Sequence, residues 1–419
     1  MKWVSAISTS YSLETALREV TQQAEARLGA QPDLAFVFVS TAFASEYERL
    51  MPLLHELMPV AHVVGCSGSG IIGMDDEFPL EKEEGAALSI TVAHLPNVNI
   101  RSFHLTAANL PDLDSPPQDW TDLMGVSPEE APGFVMMADP FSSGTNELLQ
   151  GLDYAYPGAT KVGGLAGIDD SFNKRSGLFC GKQLYRDGVV GVALSGEIVL
   201  DAIVAQGCRP IGELYRISEV DRNVLLKLEP DDANDDGSDA LSQTPLEVLQ
   251  NMFQAMDEHE RELAQHSLYV GVAQSGFKPS LTRRDFLIRN LIGVDPRNGA
   301  IAVAARIRPG MRIQFHMRDA QTSEEDLENM LRRYRVESLE SKIGDSKGAS
   351  PVGALLFSCT GRGEKLYDEP NFDSDLFEKY LGPLPVGGFF CNGEIGPVGA
   401  TTVLHGFTSV FGICCQPDA

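Results

Sequence analysis

Two short motifs near the C-terminal end carry charged side chains that could bind or transform a small molecule. The stretch CTGRG, residues 359–363, follows an apolar run and holds the guanidinium of Arg362. The stretch GGFFCNGEIG, residues 387–396, continues a second apolar run and holds the carboxyl group of Glu394. If the two runs are neighbouring parallel strands, both motifs leave the same edge of a sheet, where α/β proteins bind ligands. Arg362 and Glu394 would then either face one pocket or pair with each other.

The elements around these motifs occur three times along the chain. Each copy has an apolar run, a polar loop, a helical stretch, a second apolar run and a glycine-rich loop, and the copies begin near residues 34, 134 and 354. Roughly 30 residues separate the two apolar runs of a copy, which is enough for a β-α-β crossover. Alternating or apolar runs follow each glycine-rich loop and indicate antiparallel strands. The sequence predicts an α/β fold of two lobes, built from repeated β-α-β units that feed antiparallel strands in mixed sheets.

An acidic segment between the second and third copies marks the predicted domain boundary. EPDDANDDGSDA, which begins at residue 229, has no apolar anchor and indicates a solvated linker. We therefore predict a domain at 1–228, a linker at 229–244 and a second domain at 245–419. Asp232, Asn234 and Asp236 match the first ligands of an EF-hand calcium loop, but Gln243 stands where a bidentate Glu is needed. We favour the linker.

The stretch VVGCSGSGIIG, residues 63–73, contains the spelling G-x-G-x-x-G of a dinucleotide-binding loop. That loop works because its third glycine lies in a helix whose N-terminus faces the pyrophosphate. Gly73 is followed by MDDEFPLEKEEG, where a proline and several carboxylates oppose both a helix and a phosphate. We reject a dinucleotide site and expect no cofactor.

Composition excludes several other classes of function. The net charge of −26 opposes binding to nucleic acid or to an anionic membrane, and no apolar run is long enough to suggest membrane insertion. The seven cysteines form no C-x-x-C pair and the eight histidines show no ligand spacing, so neither a disulfide framework nor a metal site is expected. We expect a cytoplasmic protein.

The stretches VVGCSGSG, VGGLAGID, RNLIGVD, CTGRG and GGFFCNGEIGP resemble those of the FIST family, a sensory module named for F-box and intracellular signal transduction proteins. The resemblance covers nearly the whole chain, with an N-terminal module on about residues 30–228 and a C-terminal module on about residues 245–415. It implies a protein that senses small ligands, such as amino acids or related metabolites, rather than an enzyme. Because the two modules use up the chain, we expect any output to pass to a separate signalling protein.

The family's motifs, together with neighbouring polar residues, define a predicted ligand-binding set. An amino-acid ligand needs a cation for its carboxylate, which Arg289 or Arg362 would supply bidentately, and an anion for its ammonium group, which Glu394 or Asp139 would supply. The full predicted set is Gly65, Cys66, Ser67, Asp139, Arg289, Cys359, Arg362, Gly363, Asn392, Gly393 and Glu394.

Two other classes of function stay open from the sequence. Cys66 and Ser67 follow a strand at a glycine turn, as the nucleophile of an elbow motif does, but the final glycine of G-x-S-x-G is missing. A cysteine- or serine-dependent enzyme for an amino-acid-like substrate, with Cys66, Cys359 or Cys391 as nucleophile, is the first alternative. An interaction scaffold without a ligand is the second.

Overall fold

The computed structural model describes residues 1–168, 176–231, 242–274, 276, 278–343 and 348–418, without the side chains of residues 339–343. The helices of this part are α1 (Leu13–Leu28), α2 (Tyr47–Leu57), α3 (Pro117–Met124), α4 (Thr145–Ala155), α5 (Pro245–Ala255), α6 (Glu258–His266), α7 (Ala320–Ile343), α8 (Glu364–Tyr367) and α9 (Phe372–Leu381). The strands are β1 (Lys2–Ser8), β2 (Leu34–Ser40), β3 (His62–Gly68), β4 (Gly70–Asp75), β5 (Phe78–Lys82), β6 (Leu88–His94), β7 (Val98–Leu105), β8 (Gly133–Ala138), β9 (Lys161–Leu165), β10 (Leu178–Cys180), β11 (Gln183–Tyr185), β12 (Val189–Gly196), β13 (Val199–Ala205), β14 (Cys208–Asp221), β15 (Val224–Pro230), β16 (Leu268–Ala273), β17 (Phe286–Asp295), β18 (Ala300–Val303), β19 (Arg312–Arg318), β20 (Ala349–Cys359), β21 (Val386–Cys391), β22 (Glu394–Val398), β23 (Thr401–His405) and β24 (Ser409–Pro417).

The chain is a mixed α/β protein that divides into two compact units. Unit 1 joins Met1–Ala205 to Leu327–Ala419, and unit 2 is the intervening Gln206–Asp326.

Unit 1 contains one topology three times. The parallel pairs are β2 with β3, β8 with β9, and β20 with β21. Their crossovers contain α2, α4, and α8 with α9, respectively. The three predicted β-α-β units are therefore confirmed. Each pair lies in the middle of its own six-stranded mixed sheet.

The hairpin that follows each parallel pair joins the sheet of another copy. Strands β4 and β5 extend the sheet of β21, β10 and β11 extend that of β3, and β22 and β23 extend that of β9. We call these the exchanged hairpins. The next strand then returns to its own sheet, where β6, β12 and β24 pair with β2, β8 and β20. Because of this exchange the third copy belongs to the same unit as the first two. The domains at 1–228 and 245–419, with a linker at 229–244, stay a prediction.

The first strand of a copy shows why these sequences form a central strand. All seven residues of β2 are buried. Leu34, Phe36 and Phe38 pack into one apolar core and the alternate residues Val37 and Val39 into another. A strand with apolar side chains on both faces is expected when both faces are covered by other layers.

A glycine in each second strand allows the parallel pair to form. A Cβ atom at Gly65, Gly163 or Gly388 would lie well under 3.0 Å from the carbonyl oxygen of Val37, Met136 or Leu356, its register partner on the first strand. The glycine-rich stretches are thus needed in the strands themselves, because the two backbones approach closely at these positions.

Two local predictions can be compared with the backbone of the first copy. Gly73 lies inside β4, which confirms that no helix follows the G-x-G-x-x-G spelling. The sequence also suggests a capping box that begins at Ser45, but this residue lies inside a 3₁₀ turn, Thr41–Glu46. Helix α2 begins after that turn without a side-chain cap, so the capping-box prediction is wrong.

Unit 2 is a closed antiparallel barrel with two helices. Its strand order is β14-β15-β18-β17-β16-β19, and its core includes Ile217, Val270, Ile301 and Phe315. Helices α5 and α6 both start with side-chain caps. Most of the predicted acidic linker, together with the candidate calcium ligands, lies outside the described residues.

In the part of the chain described above, no helix is both long enough and apolar enough to cross a membrane.

Candidate ligand-binding site

The carboxyl ends of the parallel strands in unit 1 are linked to one another through backbone hydrogen bonds. Ser69 N–H donates to the carbonyl oxygen of Phe390 (3.0 Å), Leu165 N–H donates to that of Gly393 (2.8 Å), and Gly167 N–H donates to that of Ser67 (2.7 Å). The glycine-rich ends of β3, β9 and β21 therefore meet. We call the side chains near this meeting point, Ser67, Asp139, Cys359, Asn392 and Glu394, the strand-end cluster.

Ser67 and Asp139 belong to one polar network. The Ser67 hydroxyl donates to the carbonyl oxygen of Gly167 (2.7 Å) and accepts the N–H of Gly177 (2.8 Å). The adjacent Ser176 donates its hydroxyl to Asp139 Oδ1 (2.6 Å), while Asp139 Oδ2 accepts the N–H of Phe141 (3.1 Å). Both predicted residues are buried. Neighbouring copies thus contribute to one hydrogen-bonded group at the strand ends.

In the third copy, the two loops that follow β20 and β21 are joined by hydrogen bonds. Thr360 Oγ1 donates to Asn392 Oδ1 (2.6 Å), and Thr360 N–H donates to the carbonyl oxygen of Cys391 (2.9 Å). These bonds lie immediately after Cys359 and Cys391, which are register partners on β20 and β21. The CTGRG and CNGE stretches are therefore adjacent, as the sequence predicts for parallel strands.

Glu394 is fully buried between two thiols. Its Oε2 accepts the N–H of Thr408 (3.1 Å), its Oε1 accepts the Cys391 thiol (3.5 Å), and the Cys359 thiol also hydrogen-bonds to the carboxyl group. Burial dominates over these hydrogen bonds and raises the pKa of Glu394 to about 8. The side chain is therefore mostly a neutral acid at pH 7, able to donate a hydrogen bond.

Arg362 does not form its ion pair with Glu394. Its Nε and Nη2 donate to Asp373 Oδ2 and Oδ1, both at 2.9 Å, with both side chains buried. Burial opposes the charge of Arg362, but the Asp373 carboxylate outweighs it, so the pKa of Arg362 stays above its usual value. Nη2 also donates to the Tyr367 hydroxyl (2.5 Å), whereas Nη1 has no hydrogen-bond partner among the described residues.

The exchanged hairpin β4–β5 supports the Arg362 loop. The Glu83 carboxylate accepts the N–H of Glu364 (2.7 Å), and a Cβ atom on Gly363, whose φ is +73°, would collide with that carboxylate. Glu81 Oε1 accepts the N–H of Ser374 (2.7 Å). Burial and the nearby Asp373 raise the pKa of Glu81 to about 8. The first copy thus holds the loop of the third copy in place.

Two thiols of this region, those of Cys66 and Cys391, are protonated at neutral pH. Burial raises the pKa of Cys66 well above its usual value, and burial with the nearby Glu394 does the same for Cys391. A nucleophilic cysteine requires the opposite shift. These two environments therefore disfavour the cysteine-dependent enzyme.

Arg289 lies in unit 2, on β17. Its Nη1 donates to the carbonyl oxygen of Ile288 (3.0 Å), and among the described residues it has no ion-pair partner. Burial lowers the pKa of Arg289, with no neighbouring charge to offset that cost. This guanidinium, unlike that of Arg362, is not committed to a carboxylate.

Sequence reasoning missed residues that take part in these networks, namely Asp373, Glu81, Ser176 and Thr408. Asp373 is the one with a local signal, because it lies in the first turn of a helix one short segment after CTGRG. The other three reach the site through the exchanged hairpins and the return strands, which local patterns do not reveal. In the described part of the chain, no group of three His, Cys, Asp or Glu residues could hold a metal ion.

Comparison with known families identifies the class of protein. The FIST N domain model matches residues 33–230 and the FIST C domain model matches residues 245–397. The chain therefore belongs to the FIST family, which confirms the resemblance seen in its motifs. FIST domains are sensory domains of signal transduction, so the chain has a sensory role in that general sense.

Individual relatives extend over the same modules. An uncharacterized protein of Mycobacterium tuberculosis is 31% identical over 413 residues, covering 96% of this chain and 97% of its own. An uncharacterized protein of Mycobacterium bovis is 27% identical over 413 residues, covering 97% of this chain and 96% of its own. An F-box/LRR-repeat protein of Arabidopsis thaliana is 23% identical over 286 residues, covering 64% of this chain and 52% of its own.

Proposed function

We propose that this FIST protein senses a small metabolite that binds at the strand-end cluster. The observation that carries the proposal is the meeting of the carboxyl ends of β3, β9 and β21. Ligands of α/β proteins bind beyond the carboxyl ends of strands, where backbone and side-chain polar groups converge. A sensory role also requires an output, which we propose is taken up by a separate signalling protein.

We further propose that the ligand is an amino acid or a close derivative. The Asp139 carboxylate suits the ammonium group of such a ligand, because its two present partners, Ser176 and Phe141, are neutral donors. Glu394 suits a different task. Because its pKa is about 8, it donates a hydrogen bond at neutral pH instead of balancing a positive charge. We therefore prefer Asp139 to Glu394 as the anion.

For the ligand carboxylate we propose Nη1 of Arg362, which is buried and has no hydrogen-bond partner among the described residues. Arg362 already gives Nε and Nη2 to Asp373, so it cannot offer a bidentate fork to a ligand while that pair exists. Arg362 would therefore bind the ligand carboxylate through a single hydrogen bond. Arg289 lies in unit 2 and is not assigned to this site, which is built from residues of unit 1.

The test is calorimetric titration of the full chain with amino acids, their N-acetyl derivatives and their amides. We expect binding of at least one free amino acid, with loss of binding on N-acetylation and on amidation. Asp139→Asn should weaken binding roughly 10- to 100-fold, the value of one or two charge-assisted hydrogen bonds. Asp114→Asn, at an exposed position, is the matched control and should not change affinity.

Three results would contradict the proposal in different ways. If no amino acid or derivative binds, the ligand class is wrong. If no small metabolite stabilises the chain in a broader thermal-shift screen, the interaction scaffold is favoured. If a bound amino acid is converted to product, the protein is an enzyme.

A further inference from the structure

Cys359 and Cys391 lie directly opposite each other on neighbouring strands. They are register partners in the parallel pair β20–β21. Strand spacing places their Cα atoms about 4.8 Å apart, within the roughly 4.4 to 6.8 Å that a disulfide spans. Both residues are buried, and neither forms a disulfide in the structure.

The two thiols also converge on one acid. Cys391 Sγ donates to Glu394 Oε1 at 3.5 Å, and the Cys359 thiol hydrogen-bonds to the same carboxyl group. Their shared partner shows that both side chains point to the same face of the sheet. The bonds from Thr360 to Asn392 and to Cys391 hold the two strand ends together. The sulfur atoms are therefore kept in one small volume.

Among the described strand pairings, no other two cysteines are register partners. Cys414 and Cys415 are neighbours in sequence on β24, so their side chains point to opposite faces, and they belong to different apolar cores. Cys66 is paired with Phe38 and Leu178. Cys359 and Cys391 thus differ from the other described cysteines in lying directly opposite each other on paired strands.

We propose that Cys359 and Cys391 form a redox site that closes to an intrachain disulfide in the presence of hydrogen peroxide and reopens with a dithiol reductant. This goes beyond small-ligand sensing and does not depend on the identity of any ligand. The disulfide would withdraw both thiol donors from Glu394. Oxidation would thereby change the hydrogen bonding of the strand-end cluster.

The chemistry balances with peroxide as the oxidant. Cys359, the more exposed residue of the pair at 6% against 0% for Cys391, attacks one peroxide oxygen with its sulfur after losing its proton. The O–O bond breaks, water leaves, and Cys359 becomes a sulfenic acid. The Cys391 sulfur then attacks the Cys359 sulfur while the Cys391 proton passes to the departing oxygen, the S–O bond breaks, and a second water leaves. Two thiols lose two electrons and two protons, and one peroxide becomes two waters.

The experiment oxidises the purified full chain with hydrogen peroxide, removes the peroxide with catalase, alkylates the remaining thiols and maps the peptides by mass spectrometry without reduction. We expect loss of two of the seven thiols and a linked peptide that joins Cys359 to Cys391. The dithiol reductant should restore both thiols. Cys391→Ala should abolish the link, whereas Cys414→Ala, the control at an equally buried cysteine, should leave it unchanged.

Failure would be visible without any ligand assay. Seven intact thiols after peroxide, a link between other cysteines, or sulfinic acid at Cys359 with no link would each overturn the proposal. If Cys391→Ala does not fold, as judged by circular dichroism, Cys359→Ala takes its place, and the wild-type map still decides the result. Non-reducing electrophoresis separates an intrachain link from one between two molecules.

Discussion

At the scale of single residues, breaking the ion pair of Arg362 and Asp373 should cost the folded state a large free energy. Both side chains are buried, and Asp373 also accepts hydroxyl groups from Ser358 and Ser409. Removal of the guanidinium would leave a buried carboxylate without its cation. This is a far larger cost than the loss of a surface ion pair.

We expect Arg362→Ala to lower the free energy of unfolding by about 3 to 5 kcal/mol. Urea unfolding at pH 7 measures the change. The control is Arg333→Ala, which breaks an exposed helical pair with Glu337 and should cost about 0.5 kcal/mol or less. A similar small cost for both variants would show that the buried pair contributes little to the fold.

The buried acid Glu394 should make stability depend on pH. Its pKa is raised from 4.5 to about 8 on folding, so the folded state binds the proton more tightly than the unfolded state. The stabilisation by this proton is fully present below about 4.5 and is lost as pH rises through about 8.

The substitution Glu394→Gln replaces the neutral acid by a neutral amide of similar shape. In the wild type we expect Glu394 to contribute a fall of up to about 1.4 kcal/mol per pH unit inside that window. Glu394→Gln should flatten this part of the profile, as followed by urea unfolding at several pH values. The exposed Glu25→Gln serves as control. An unchanged slope in Glu394→Gln would mean that the acid is ionised in the folded protein.

The sequence predicted which residues of the third copy come together but not how they pair. The two apolar runs predicted a parallel pair of strands, which the structure contains. Because the carboxyl ends of parallel strands lie at one edge of a sheet, this pairing alone predicts that CTGRG lies beside CNGE. The partner of Arg362 could not be read in the same way. Asp373 and Glu394 are both nearby acids, and the choice between them depends on side-chain direction and burial, which spacing does not encode.

At the scale of elements, each β-α-β unit depends on one glycine in its second strand. Gly65, Gly163 and Gly388 occupy the same place in the three copies, where a Cβ atom would overlap a carbonyl oxygen of the first strand. The obstacle is backbone, so it cannot move aside as a flexible side chain would.

We expect Gly65→Ala, Gly163→Ala and Gly388→Ala each to destabilise unit 1 by more than about 4 kcal/mol, at the extreme of single substitutions. Soluble yield and thermal unfolding measure the effect. Gly406→Ala, at a position with open space for a Cβ atom, should change stability by about 0.5 kcal/mol or less. Wild-type stability in any of the first three variants would mean that the strands can separate to admit a methyl group.

The repeats could be recognised from sequence because each combines two strong local signals, a buried apolar strand and a glycine-rich turn. The exchange of hairpins between copies could not be recognised from sequence. Strand β4 pairs with β21. Its residues do not indicate whether its neighbour is β21 or β3, because an apolar strand can pair in either sheet. For this reason the exchange of hairpins between copies is a finding of the structure and not of the sequence.

At the scale of the whole molecule, a fragment cut at a sequence-module boundary and a fragment cut at a compact-unit boundary differ in how many of their strands keep their partners. Residues 1–230 contain the first module but lack β20 to β24, so the hairpin of β4 and β5 and the strand β9 each lose a partner. Residues 206–326 contain every strand of the closed barrel.

We expect fragment 206–326 to unfold cooperatively in urea and fragment 1–230 to show no cooperative transition. The reason is that unpaired strands expose backbone groups and apolar faces that the intact sheets cover. Circular dichroism and limited proteolysis measure both fragments. A cooperative transition in 1–230 would show that the N-terminal module closes its own sheets.

The exchanged hairpins also set the order in which a new chain can fold. Ile72 pairs with Gly388, so the hairpin of the first copy is made long before its sheet exists. At about 5 to 20 residues per second, a ribosome takes on the order of tens of seconds to supply the missing strand. During that wait Ile72 and Met74 lack the core residues of β20, β21 and β24 that cover them in the finished protein. The nascent chain is therefore a natural client for chaperones that hold apolar segments until synthesis ends.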